Sequence, residues 1–401
     1  MSRFLFCAAL LSSLVWCAGC GGNGAAPVGN NPITGSASNV ASITVSGGPA
    51  NNINIPTVSL TICVPGSTTN CATVAGVLVD TGSTGVRILA AQLAGLTLPQ
   101  QTDASGNPIA ECFQFADGET WGPVQMATVT ISGETANNIP IQVIGSATPA
   151  IAADVPAACS DLGPTEQTLA TFGANGVIGV NNAPLDCGSA CGAVTGNPDI
   201  YYTCPSSGCT PTTVGLSTQV PNPVTLFATD NNGVIVELPT VSSTGAPSVT
   251  GSLVFGIGTE SNNALANQTV LTTDAFGDFA ATVLNGAALT GFLDTGSNGY
   301  FLDNTTEPSL VNCSANPDFF CPSGTENLTA QNQGGNGATS NVNFQVANFD
   351  NLSATNAVFN NVAGFSSGIF DWGLPFYLGR NVYFAIDGAS TPAGAGPYVA
   401  Y

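Results

Sequence analysis

Val77-Leu78-Val79-Asp80-Thr81-Gly82-Ser83-Thr84-Gly85 decides how this chain is read, because the sequence writes it a second time as Gly291-Phe292-Leu293-Asp294-Thr295-Gly296-Ser297-Asn298-Gly299. In each copy an apolar run delivers Asp-Thr-Gly-Ser, then one further residue and Gly lead into a second apolar run, at 86–89 and 300–302. A short apolar run bounded by turn residues reads as a buried strand. Each aspartate therefore stands where a strand gives way to a tight loop. The two aspartates, at positions 80 and 294, are 214 apart, which is the spacing of two structural units and not of a hairpin. Two such loop tips facing each other would make a carboxylate pair.

Composition narrows the chemistry to match. The 401 residues include no His and no Lys, and only three basic residues, Arg3, Arg87 and Arg380. Without His there is no Ser-His or Cys-His nucleophile, no His-bound metal and no imidazole base. Without Lys there is no Schiff base and no phosphate-binding P-loop. Twenty-four acidic residues give a formal charge of −21, which opposes nucleic acid and anionic membrane surfaces as partners. Carboxylate chemistry remains, with no metal and no cofactor expected; a solvated acidic surface is the plainer meaning of the same charge.

With 44% hydrophobic and only 7% charged residues, the chain can bury a large core, and its Val, Ile, Thr and Phe runs between Gly, Pro and Asn turns are β-forming. Residues 41–45, 56–64, 124–131 and 139–144 alternate as strands. Asp117-Gly118 and Asn285-Gly286 are hairpin signals between such runs. Gly176-Val177-Ile178-Gly179 can pack closely against an active loop, since glycine lets backbones approach. Gly251-Ser252-Leu253-Val254-Phe255-Gly256 opens a second series of strands, and Trp372-Gly373-Leu374-Pro375 leads into an alternating run ending at Asp387. Strand, Asp-Thr-Gly-Ser and a later apolar-apolar-Gly element thus occur once per half, a diverged internal duplication.

The N-terminus reads as an export signal over 1–19, with Arg3 before an apolar run at 4–16. Cys17-Ala18-Gly19-Cys20 resembles a bacterial lipobox, which makes Cys20 the lipidated residue, Gly21 after it an outer-membrane address, and 20–40 a flexible tether. Of the thirteen cysteines, removal of Cys7 and Cys17 and lipidation of Cys20 leave an even set, read as disulfides. Cys63–Cys71 and Cys313–Cys321 close local loops. Cys187, Cys191, Cys204 and Cys209 pair among themselves in a surface insertion at 184–212, and Cys112–Cys159 remains. A metal site built from the crowded four is the rival reading; oxidising export favours disulfides over thiolates.

Both Asp-Thr-Gly-Ser motifs, the Gly251–Gly256 segment, Ile178-Gly179 and Leu378-Gly379 followed by residues 382–387 together resemble a pepsin-type aspartic protease, in particular its bacterial lipoprotein branch, over about 75–390. The resemblance implies an all-β, bilobed fold, with lobes at 41–247 and 248–401 and a cleft between them. Asp80 and Asp294 would meet at its floor and share a proton, because adjacent carboxylates do not both ionise cheaply. It further implies that Thr81 and Thr295 brace the loops, that Gly82 and Gly296 permit the turns, and that Ser83 and Ser297 donate to the outer carboxylate oxygens. Phe115, Asp117 and Gly118 fall on the flap, with Phe115 where the family carries Tyr. Arg87 stands where a Trp is usual and Arg380 where an acid is usual; both read most simply as partners of buried or surface acids. The expected activity is acid-active endopeptidase on a polypeptide substrate, by a monomer that touches the membrane only through its lipid. The alternative is a silent surface lipoprotein holding peptide or glycan in the cleft. Glycoside hydrolysis is disfavoured, because the turns bring the acids too close for it.

Overall fold

The computed structural model describes residues 37–146, 151 and 155–401. The signal, lipidation and most of the tether assigned above lie outside these residues. The protein is all-β, and the two α-helices among the described residues, Ala157–Ser160 and Leu169–Phe172, are single turns. Among the described residues no helix is long and apolar enough to cross a membrane.

One fifteen-stranded sheet and one seven-stranded sheet carry nearly all of the strands. The large sheet crosses residue 247. Val40–Ser46 pairs antiparallel with Val249–Phe255, and Gly233–Glu237 joins that strand to Asn381–Ala385. Val40–Ser46 alternates buried and exposed side chains, so its inward residues Ile43 and Val45 enter a core that also includes Phe255, Val382 and Phe384. The smaller sheet holds strands between Ala281 and Trp372.

Each aspartate sits on the same four-strand arrangement. Cys71–Asp80 runs parallel to Gly176–Val180, with Asp80 opposite Gly179. The chain turns, and Thr84–Leu89 returns antiparallel on the other side of Gly176–Val180 and parallel to Glu134–Ile144. In the second half Ala287–Leu293 runs parallel to Ile369–Trp372, while Tyr300–Leu302 returns antiparallel to Ile369–Trp372 and parallel to Ala363–Phe365. Asn285 and Gly286 both have positive φ, 45° and 84°, and close a two-residue hairpin between Leu284 and Ala287 as the sequence signals.

Two expectations are corrected here. The second apolar-apolar-Gly element is not Leu378-Gly379: the strand paired with that of Asp294 is Ile369–Trp372, and Gly373 follows it. Asp371 interrupts the apolar run there and hides the pattern. The insertion at 184–212 is also more than a self-stapled surface loop. Tyr201–Thr203 extends the large sheet against Ile109–Gln114, and Tyr201 and Tyr202 are buried.

Five disulfides are formed: Cys63–Cys71, Cys112–Cys159, Cys187–Cys191, Cys204–Cys209 and Cys313–Cys321. The crowded four thus divide into two small loops. This set fits a chain exported to an oxidising compartment.

Candidate active site

Both Asp turns open onto a cavity of about 580 Å³. Asp80, Thr81, Gly82 and Ser83 line it from one turn, and Asp294, Gly296 and Ser297 from the other. Asp80 Oδ1 and Asp294 Oδ1 converge on one point, lying 2.8 and 3.0 Å from the place a β-carbon would take at Gly296. Their approach depends on the turn glycines. A β-carbon at Gly82 would lie 2.6 Å from Asp294 Cγ, and one at Gly296 would lie 2.8 Å from Asp80 Oδ1. Each Gly therefore makes room for the aspartate of the opposite turn.

The polar bracing is two-fold. The Gly82 amide donates to Asp80 Oδ1 (2.7 Å) and the Gly296 amide to Asp294 Oδ1 (2.6 Å). Ser83 Oγ donates to Asp80 Oδ2, and Ser297 Oγ lies 2.9 Å from Asp294 Oδ2. Thr81 and Thr295, both buried, reach across: the Thr81 amide donates to Thr295 Oγ1 (3.1 Å) and the Thr295 amide to Thr81 Oγ1 (3.0 Å). Their hydroxyls donate onward to the Leu293 and Val79 carbonyls. These reciprocal bonds satisfy the buried groups of both loops at once, so neither turn can move without breaking the other. Burial first, then the charges of Asp80 and Asp371, hold the Asp294 carboxyl well above the ordinary carboxylate range.

Gly179 and Gly373 hold the turns from beneath. A β-carbon at Gly179 would sit 2.6 Å from the Thr84 amide nitrogen; at Gly373 it would meet the Gly299 carbonyl and lie 2.6 Å from that of Ser297. Gly373→Ala must push the Asp294 turn out of line, and we expect it to cost about 1–3 kcal/mol, read as a lower urea midpoint with an unchanged m-value.

The flap is a hairpin of Ile109–Gln114 and Glu119–Ile131. Its loop spans residues 115–118, closed by the Phe115 amide donating to the Gly118 carbonyl (2.7 Å). Gly118 has no positive φ, so Asp117-Gly118 is not a two-residue turn. Gly118 is required instead by close approach, since a β-carbon there would meet the Pro164 carbonyl and lie 2.8 Å from Glu166 Cγ. Phe115 meets Phe113 and Phe172 edge-on, with ring centroids 5.0 and 5.7 Å away. Phe115 and Asp117 line the cavity; Gly118 and Thr295 do not.

Glu166, beneath the flap tip, also lines the cavity. Burial, then the charges of Asp117 and Glu119, push it up to about 8. The folded state therefore binds an extra proton between the ordinary glutamate range and about pH 8, and flap packing weakens as pH rises through that window. Amide exchange of residues 115–119 should accelerate from pH 5 to 9 beyond the intrinsic chemical rate, and Glu166→Gln should abolish that excess.

Neither arginine enters the dyad. Arg87 is fully buried, donating from Nη2 to Glu111 Oε1 (2.6 Å) and Asp186 Oδ2 (3.3 Å), with its guanidinium 3.5 Å from the centre of the Phe113 ring. Arg380 donates to the Phe376 carbonyl and lies over the Phe376 ring at 4.5 Å.

Three further residues belong to the site. Tyr377 Oη lies 2.7 Å from Thr81 Oγ1, and Asp371 and Glu166 line the cavity. Of these only Asp371 carries a signal in the sequence, an acid between Phe370 and Trp372 in a strand where a buried charge needs a reason.

These features define a class: an all-β protein whose duplicated Asp-Thr-Gly-Ser turns bring two carboxyls together on one cavity. By sequence the chain belongs to the DUF3443 family, described as a protein of unknown function, whose model matches residues 35–401. No curated protein matches the sequence.

Proposed function

We propose that the protein is an aspartic endopeptidase of pepsin-like, bilobed architecture, exported and held at the outer membrane by a lipid on Cys20. The observation that carries this reading is the convergence of the Asp80 and Asp294 carboxyls on one cavity, braced by Thr81 and Thr295. Two carboxyls in contact retain one proton between them. The ionised one takes a proton from a water as its oxygen attacks the scissile carbonyl carbon; the protonated one donates to the carbonyl oxygen. Collapse of the resulting tetrahedral carbon breaks the C–N bond, and the leaving nitrogen takes the proton. The cavity lining suits apolar substrate side chains through Phe113, Phe172, Phe276 and Phe301.

One observation favours the second reading, a peptide- or glycan-binding protein without turnover: Phe115 offers no hydroxyl over the dyad and packs on the chain's own rings. Incubation of the purified protein with an unfolded polypeptide from pH 3 to 7, with and without a statine-type inhibitor, separates the two. Inhibitable cleavage supports the protease; binding of peptide without cleavage at any pH supports the alternative.

A further inference from the structure

The two Asp turns are nearly superimposable in their bonding, yet a third carboxyl breaks the match. At the strand position where the first half has Val177, opposite Leu78, the second half has Asp371, opposite Phe292. Asp371 is 5% exposed, lines the cavity, and has one carboxylate oxygen, Oδ1, without a hydrogen-bond partner. Its other oxygen lies 2.6 Å from Ser297 Oγ, which is also 2.9 Å from Asp294 Oδ2. Ser83 makes only the local bond to Asp80.

A serine hydroxyl has one hydrogen. Standing between two carboxyl oxygens at these distances, it satisfies both only if one of the acids is protonated and donates to it. The contact therefore has two states. Either Asp371 donates to Ser297 and Ser297 to Asp294, or Asp294 donates to Ser297 and Ser297 to Asp371. Passing from the first to the second needs only a reversal of the hydroxyl and the transfer of one proton.

We propose that Asp371 is a third carboxyl of the site, a positioning residue that acts through Ser297 to bias the shared proton of the dyad toward Asp294 and to retain it at higher pH. This rests on the protease reading for its purpose, but not for its test. Among the groups facing Asp371, the turns contribute Asp80, Asp294 and Ser297. The neighbouring strand sets Phe301 opposite Asp371, with Asp303 beyond it bonded to the Gly368 amide, and the segment after Gly373 contributes Tyr377. The nearest arginine in sequence, Arg380, bonds to the Phe376 carbonyl and ring. Once Asp371 ionises, its charge thus acts on Asp294 with no paired cation to offset it, and a like charge beside a carboxyl makes it hold its proton.

The test is a carboxyl titration of the full protein with ¹³C-labelled aspartate, comparing wild type with Asp371→Asn, which keeps the shape and a donor toward Ser297 but cannot ionise. In the wild type the last proton of the coupled set should leave at least about one pH unit higher than in the variant. If the proteolytic reading also holds, the alkaline limb of kcat/KM should fall by the same shift while the acid-side rate changes little. Should Asp371→Asn fold poorly, the wild-type spectrum alone decides whether a third coupled aspartate is still protonated when the dyad carries one charge. Titration curves that coincide, or an Asp371 that ionises with ordinary exposed carboxylates, would overturn the proposal. A shifted titration without peptide cleavage would leave it standing and remove only the protease.

Discussion

On the proposed mechanism, replacing Asp80 or Asp294 with Asn should lower peptide hydrolysis by about 10³-fold or more, because each removes a group that would move a proton during the reaction. The two single variants and the double variant should be nearly equal, since the pair works as a unit. Folding should survive. An Asn oxygen can accept from the Gly82 or Gly296 amide, and the adjoining Ser83 or Ser297 hydroxyl can turn to accept from its amide nitrogen. Asp294→Asn should even flatten the loss of stability with rising pH. A carboxyl held above its ordinary range binds a proton in the folded state that the unfolded chain releases, so its stabilising share disappears as pH climbs through the folded value. Denaturant midpoints at pH 4 and 8 measure this directly. A variant that retains full hydrolytic activity would remove the dyad from the mechanism.

The second large effect lies away from the chemistry. Arg87→Met should cost about 3–5 kcal/mol at pH 7, because it strands the buried Glu111 and Asp186 carboxylates. Asp186 is already held well above the ordinary range by burial and by Glu111; it keeps a hydrogen bond from Tyr201 Oη (2.7 Å), while Glu111 loses its guanidinium partner. The penalty should shrink at pH 4, where Asp186 can be protonated. Its sign follows from linkage: with Arg87 gone, the Asp186 carboxyl is held higher still in the folded state, so stability present at low pH is lost as pH increases. Glu111 is on the first strand of the flap hairpin, so the variant should also raise KM more than it lowers kcat. Equal unfolding midpoints for variant and wild type at pH 7 would show that the triad is energetically idle.

Much of this was legible in the sequence, for reasons that differ by residue. The Asp80 and Asp294 turns announced themselves because apolar strand, tight turn and glycine are local patterns, and Asn285-Gly286 formed its hairpin because both positions tolerate positive φ. Local pairs such as Cys63–Cys71 and Cys313–Cys321 followed from proximity. What stayed hidden depends on distant packing. Asp371 went unread, and its meaning appears only when Ser297, 74 positions earlier, lies against it. Gly118 resembled a turn residue but serves a close approach to the 164–166 segment. The insertion at 184–212, rich in Gly and Cys, gave no sign that Tyr201 would be drawn beneath Asp186.

The strand Val40–Ser46 also sets an order of events. Its long-range partner, Val249–Phe255, is made some two hundred residues later, and Asn381–Ala385, which reaches that strand through Gly233–Glu237, later still. All five disulfides, by contrast, close over 4 to 47 residues, and none joins the two sides of residue 247. Oxidation can therefore run to completion within each part as the chain emerges, without waiting for the other. Non-local strand pairing carries a large loop-closure cost, so docking of Val40–Ser46 onto Val249–Phe255 comes late. A nascent or truncated chain can then hold all of its disulfides before this strand has docked.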